Sequence, residues 1–436
     1  MKALLLILAS FMTLSSVFDW DPGPAPGVKI KNAILYLLCV GVVMKIARQG
    51  QFKLQMPMIH GVFTLLISYA ILTFIVIVSM HFYPAYKPLP NALLLKNLVD
   101  EMLFFVVFFY GVRDEGEAIS VLHFLLACWA LSHVVAVLDA SGIVHIGDLE
   151  QRSDGRVNGA VGESNQYGAF VALSLPGMIA AAAITKGARR LFWMAVSLIS
   201  AVTLLLTVSR GAYVGMTMGC IAGALLFRRY IPGRKIFIWG AAVVGMVIFA
   251  LVMVSVLGYG DLLYSRLVGE TDTANMTSTS SGRVEIWSKL LEVMSEHPIS
   301  FLTGHGWMAY YSMHFRYAPH NFYLNYWFNL GLVGLGSGIY LLAAPVRAAR
   351  AAIERASPNG RIVLIAFSIA TVAFATSLVF VDVVVPWLYY FAYVGLAMRI
   401  AVNATESAPQ NVTRAVAVQP AARVDRFGWA TRSAHR

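Results

Sequence analysis

The chain alternates between long apolar runs and short polar breaks. A membrane-crossing helix needs about 20 predominantly apolar residues. Runs near that length occur at 3–18, 30–47, 61–82, 97–112, 118–140, 164–185, 190–209, 211–228, 236–258, 321–344, 361–380 and 383–402. The pattern predicts an all-α polytopic integral membrane protein of about 12 transmembrane helices, forming one domain over residues 1–402. The stretch 190–228 is nearly continuous, and at about 1.5 Å per residue it is too long for one crossing. Ser209-Arg210-Gly211 divides it into a hairpin. The first run has no small-x-small cleavage site after it and is read as a retained helix rather than a signal peptide. Residues 403–436 are polar with scattered arginines and are expected to form a disordered cytoplasmic tail.

One interval between runs, residues 259–320, is far longer than the others, and loops of that length are usually functional or disordered. A helical pattern starts after Ser281 and is stopped by His297-Pro298. Trp287, Leu290, Leu291 and Met294 repeat at i, i+3, i+4 and i+7, which predicts an amphipathic helix lying on the membrane surface or against the bundle. No internal repeat is visible, unlike the inverted-repeat transporters.

Composition agrees with lipid as the main solvent: 58% of residues are hydrophobic and 13% charged, too few charges to coat a soluble protein of this length. The net charge of +11 would suggest nucleic acid in a soluble protein. Here it follows from basic residues gathered in cytoplasmic segments. With both termini inside, 22 of the 33 Lys and Arg residues fall on the cytoplasmic side, and the opposite orientation reverses the bias. The long 259–320 segment is then on the outside. Cys39, Cys128 and Cys220 each sit in an apolar run without ligand spacing, so neither a disulfide framework nor a metal site is expected.

Candidate chemistry lies at the outer ends of the runs. Arg210 stands alone in an apolar stretch, and such a charge marks either a functional site or a snorkelling side chain. Behind it, Gly211, Gly215 and Gly219 form a small-residue stripe read as helix packing. Arg283 opens the amphipathic helix. A cation there opposes the helix dipole unless an anion is bound between the arginine and the free N–H groups. The alternative is a pair with Glu285 or a lipid phosphate. His320 lies between Pro319 and Asn321 where a run starts; a helix N-terminus and nearby arginines disfavour its cation and leave a neutral imidazole able to accept a proton. Taken alone, a lone histidine more often makes a structural hydrogen bond. His297, His305 and His314 share its loop without metal spacing. Arg152 and Arg156 lie before the sixth run, where pairing with Asp148, Glu150 or Asp154 also accounts for them. An arginine-lined site at the lipid boundary, without an acidic metal cluster or a phosphate-binding Gly-Lys-Ser/Thr loop, suits a lipid-linked phosphate or pyrophosphate.

Four segments, in order over roughly residues 150–335, together resemble the O-antigen ligase family of membrane glycosyltransferases: Arg156-Val-Asn-Gly159 with Asn165, Ser209-Arg210-Gly211, Ser281-Gly282-Arg283 with Trp287, and Gly304-His305-Gly306 leading to His320-Asn321-Phe322-Tyr323-Leu324. The resemblance implies transfer of a glycan from undecaprenyl pyrophosphate to the lipid A-core of lipopolysaccharide. The implied reaction occurs on the periplasmic face of the bacterial inner membrane, without cofactor, metal or ATP and with no nucleic-acid partner. It implies His320 as the catalytic histidine, with Arg210 and Arg283, joined by Arg156 and Arg152, on the pyrophosphate. One departure is Glu163-Ser164-Asn165, where relatives often carry proline before the asparagine. Competing readings are a polymerase of the same family, a protein O-oligosaccharyltransferase, and a transporter of lipid-linked glycans. The last expects ionisable residues deep in the spans, for which Asp100, Glu101 and Asp139, placed near span ends, are the candidates.

Overall fold

In the computed structural model, the described residues are 1–18, 29–48, 54–144, 155–230, 233–269, 282–313, 315, 318–382 and 386–406. Their helices, in chain order, are α1 (Lys2–Val17), α2 (Ile30–Arg48), α3 (Pro57–Met80), α4 (Pro88–Gly111), α5 (Glu115–Ala140), α6 (Ser164–Ile184), α7 (Gly187–Leu206), α8 (Arg210–Phe227), α9 (Gly233–Val256), α10 (Arg283–Glu296), α11 (Phe322–Ala352), α12 (Pro358–Ser377) and α13 (Pro386–Glu406), with short helical turns between some of them. No strand occurs among the described residues. Every expected span coincides with a helix. Eight of these helices are long and apolar enough to cross a membrane: α2, α3, α5, α6, α7, α8, α11 and α12. The last helix runs past residue 402 to Glu406, so its end reaches into the stretch expected as tail. Residues 407–436, the rest of that stretch, lie outside the described residues.

Local chemistry sets the helix starts. Pro57, Pro88 and Pro358 occupy first turns, where a missing N–H leaves no bond unmade. The side chains of Asp114, Glu163, Ser209, Asn321 and Ser357 cap α5, α6, α8, α11 and α12. The prolines of α4 correct the sequence reading. That helix begins at Pro88 rather than near 97, so Asp100 and Glu101 sit mid-helix instead of near a span end. Asp100 is built into a polar cluster there: Lys96 Nζ lies 2.5 Å from its Oδ2, and Asn32 and Tyr36 of α2 donate to its carboxylate at 2.6 and 2.8 Å. Asp139 is near the C-terminal end of α5, as expected.

Helix α6 is the buried axis, with nearly every residue shielded, and it packs against α7, α8 and α12. The stripe on α8 explains how close these helices come. A Cβ on Gly215 would lie 2.4 Å from the Ala373 carbonyl oxygen, and one on Gly219 would lie 2.7 Å from that of Ile369; Gly211 and Gly223 are equally tight against Phe380 and Ile369. The glycines are thus packing residues, which lets α8 lie directly on the α12 backbone.

Helix α11 is broken at Gly331, whose φ of 58° and ψ of −147° suit only glycine. Carbonyls next to the break need new donors. The Gly304-His305-Gly306 segment supplies them, with His305 N–H donating to Phe328 O at 2.8 Å and Gly306 N–H to Asn329 O at 2.7 Å. A Cβ at Gly304 would sit 2.4 Å from Asn329 O, so only glycine permits this approach. Tyr69, Tyr83 and Tyr86 clamp the same segment by donating to the carbonyls of Thr303, His305 and Trp307. His305 stacks on Phe328 at 4.4 Å.

The amphipathic helix of the long loop, α10, rests on the bundle. Leu290 and Met294 are buried with Tyr310 and Phe328, and Ile286, Val293, Phe301 and Trp327 pack around them. Leu291 is 40% exposed, contrary to the expected stripe. It lies one residue, about 100° of rotation, from Leu290 and so falls off the contact line.

Replacing Gly215 with alanine should lower stability by about 2–3 kcal/mol, the cost of overpacking a contact that cannot relax. Gly240→Ala, where a Cβ meets nothing within 4 Å, should be neutral or stabilising. Thermal unfolding in detergent measures both, and equal melting of the two variants would contradict the packing role.

Candidate active site

Four helices, α6, α8, α10 and α11, begin close together, and the sequence-derived site residues sit at those beginnings. At α8, Val208 takes a left-handed conformation (φ 46°), after which Ser209 caps the helix through Ala212 N–H. Arg210 is then the first helical residue and is half-buried. The three residues of this motif therefore do different things: Ser209 caps, Arg210 presents a charge at a helix start, and Gly211 makes room for Phe380.

Asn165 joins α6 to this turn. Its Oδ1 accepts from Arg156 Nη2 at 2.9 Å and from Ser209 Oγ at 3.2 Å, while its Nδ2 donates to Glu163 Oε1 at 2.7 Å. Arg156 is buried, and its Nε also donates to Thr207 O at 3.0 Å. Two of its donors thus hold the end of α7 to the start of α6. Glu163, the departure from the resembling motif, accepts the N–H groups of Asn165 and Gln166 and so caps α6.

Arg283 opens α10 after Gly282, whose φ is 75°. Burial lowers the pKa of its guanidinium, Glu163 pushes it back up, and Arg210 lowers it further. Glu163 and Arg210 are thus each within electrostatic reach of Arg283, although they come from distant parts of the chain. Trp287, one turn on, donates its indole N–H to Pro319 O at 2.9 Å and ties α10 to the residue before His320.

His320 is left-handed (φ 48°), a rare conformation for a residue with a side chain. Asp382, in the connection between α12 and α13, holds it there: its Oδ2 accepts the His320 N–H at 2.9 Å. Asn321 then caps α11 through Leu324 N–H at 3.0 Å. Burial pushes the Asp382 carboxyl up to about 7, against hydrogen bonds from the N–H groups of His320 and Asn321 and the Asn325 side chain, and Glu163 adds to the rise. Glu163 is thus in electrostatic range of both Arg283 and Asp382.

The structure brings together Arg156, Arg210, Arg283 and His320. Arg152, and Ser281 of the third motif, lie outside the described residues, as does His314. His297 and His305 form a separate ring pair 6.4 Å apart beside Phe328. Sequence reasoning passed over Asp382 and Glu163 as site residues. The available signal for Asp382 was a lone carboxylate in the short break between two apolar runs, and for Glu163 a carboxylate two residues before the motif asparagine.

Each helix start carries unpaired N–H groups and roughly half a positive charge. Four helix starts, three of them capped by side chains, and two half-buried arginines make an anion-attracting surface, with His320 beside it.

Asp382 also sets a pH dependence. An unfolded aspartate ionises near 4. Between there and about 7 the folded chain keeps a proton the unfolded chain has lost, so this group makes stability fall as pH rises and has no further effect above 7. Asp382→Asn should therefore gain melting temperature relative to the parent protein between pH 5 and pH 8; a difference that stays flat would show that the carboxyl titrates normally.

No curated protein matches the chain. A family model described as O-antigen ligase matches residues 195–337, an interval that contains Arg210, Arg283 and His320 and leaves out Arg156, Glu163, Asn165 and Asp382. Over residues 195–337 this membrane protein is therefore similar to the O-antigen ligase family.

Proposed function

We propose that the protein transfers an O-antigen glycan from undecaprenyl pyrophosphate to the lipid A-core of lipopolysaccharide, at the periplasmic face of the bacterial inner membrane. The observation that carries the proposal is the meeting of Arg210 and Arg283, each first in its helix, beside the constrained His320. In this reading the chain crosses the membrane 12 times, α1, α4, α9 and α13 included, with both termini cytoplasmic. Basic residue placement supports that orientation.

The reaction is a single displacement at the anomeric carbon. The acceptor hydroxyl loses its proton to His320 as its oxygen bonds to the carbon. The bond from that carbon to the donor phosphate oxygen breaks, and the electron pair leaves with the polyprenyl pyrophosphate. Arg210 and Arg283 neutralise the charge growing on that leaving group, aided by the helix starts. Arg156 acts through Asn165 by keeping α6 and α8 in register. Asp382 fixes the His320 backbone and so the direction in which the imidazole is presented. One step inverts the anomeric configuration. The donor bond supplies the driving force, so neither ATP nor metal is needed.

The test is transfer by purified protein, given lipid-linked glycan and lipid A-core with chelator and no nucleotide. Glycan on lipid A-core is the expected product. Lengthened lipid-linked chains would assign a polymerase instead, and retained configuration would rule out the single step. His320→Ala, Arg210→Ala and Arg283→Ala should each fold and lose about 100-fold or more in turnover, the scale of losing one transition-state partner. Near-normal turnover by His320→Ala would remove the base assignment. Orientation is checked separately: a thiol introduced as Lys289→Cys, on the exposed side of α10, should react with an impermeant maleimide from the periplasmic side. Labelling only after the inner membrane is opened would invert the topology.

A further inference from the structure

A cavity of about 630 Å³ lies at the other end of the bundle from the candidate active site. Helix α7 separates them, and its 20 residues span about 30 Å. The cavity is enclosed by the first turns of α5 and α7 and the end of α6, and its lining includes Thr185, Ser120, His123, Arg189, Phe192 and Trp193. Among the described residues, no acidic side chain lines it. The carboxylates nearest in sequence are engaged elsewhere: Glu117 pairs with Arg113, and Glu115 accepts from Ser357.

Positive charge collects here. Arg189 lines the cavity, Lys186 and Arg190 belong to the same turn, and Lys2 reaches the rim by donating from Nζ to Ser120 Oγ at 3.0 Å. His123 Nε2 is buried and has no hydrogen-bond partner among the described residues, an unusual state for a polar atom. Its ring lies 5.6 Å from that of Trp193. Helix α7 has no side-chain cap, so the N–H groups of its first turn add to the same field. The outer wall is apolar and open: Phe192, which lines the cavity, is 49% exposed, and beside it Leu191 and Met194 are 67% and 46% exposed.

A cationic, partly desolvated recess with an unpaired imidazole, opening sideways onto an aliphatic and aromatic face, has the shape of a headgroup site with room for acyl chains along the helix. We propose that this cavity binds the phosphate of an anionic phospholipid, with Arg189 and Lys2 on the phosphate oxygens and His123 on a headgroup or glycerol oxygen. The lipid would come from the leaflet opposite the active site, the cytoplasmic one in the orientation given above. A soluble phosphate shares the same polar partners but leaves the exposed Phe192 wall unused, which is why the lipid is preferred.

The test uses the full chain in detergent, titrated with phosphatidylglycerol and followed by native mass spectrometry. Arg189→Gln should weaken retention about fivefold, the effect of one basic residue on an anionic lipid. Arg189→Lys should recover most of it. Arg350→Gln, an exposed residue near the C-terminal end of α11 and away from the cavity, should bind as the parent does, and phosphatidylcholine should not distinguish any of the variants. Undiminished phosphatidylglycerol binding by Arg189→Gln overturns the site. A competition with inorganic phosphate separates the two sources: failure to displace the lipid supports the proposal, and displacement at comparable concentration assigns a soluble anion and overturns it. Glycan transfer is not part of the readout, so the outcome stands apart from that of the proposed reaction.

Discussion

A helix that begins leaves N–H groups without acceptors, and within a membrane protein those groups must find partners other than water. Here α6, α8, α10 and α11 begin beside one another, and most of the local structure answers that requirement. Glu163, Ser209 and Asn321 turn their own side chains onto the helix starts, and Asp382 takes the N–H of His320 just outside α11. At α10 the residue before the helix is a glycine and supplies no acceptor. The same place holds Arg283 with Arg210 in electrostatic reach, so the field there is left positive. The Glu163 carboxylate, within electrostatic reach of Arg283, already accepts from two backbone N–H groups and the Asn165 amide. In the proposed reaction a pyrophosphate would add its negative charge beside these helix starts and arginines.

The bundle and the arginines were legible because their signals are local. An apolar run near 20 residues announces a helix, and an arginine inside one stands out. Arg210, Arg283 and His320 were therefore readable as the residues to watch, and four short motifs supplied an order. What was not readable came from contacts between distant segments. Asp382 is over sixty positions from His320, and the pairing exists only because α12 returns the chain to the start of α11. Glu163 looked like a break in a motif and is in fact a cap. Lys96 interrupts the hydropathy of α4 just before residue 97, so its first turns read as loop although Pro88 opens the helix.

The Gly304-His305-Gly306 segment shows why a motif can belong to a site without touching it. Its glycines let one backbone lie against another at the break in α11, and its amides complete the carbonyls that the break releases. The break comes about three turns after His320. Helix α11 would run about 46 Å if straight, well beyond a hydrocarbon core of about 30 Å. Bending lets its first part, with the histidine before it, follow the surface made by α10 and the clamped segment.

Where glycines of α8 lie on the carbonyls and side chains of α12, there is no gap through which either helix could slip by a turn. Alternating access, in which one half of a bundle rocks past the other, needs interfaces that slide, and this one is keyed. Arg210, at the end of the keyed helix, is consequently a fixed post. In the proposed reaction the two lipid-borne reactants would diffuse to it in the plane of the bilayer, and their lateral encounter, rather than a stroke of the protein, would be the motion on which turnover depends.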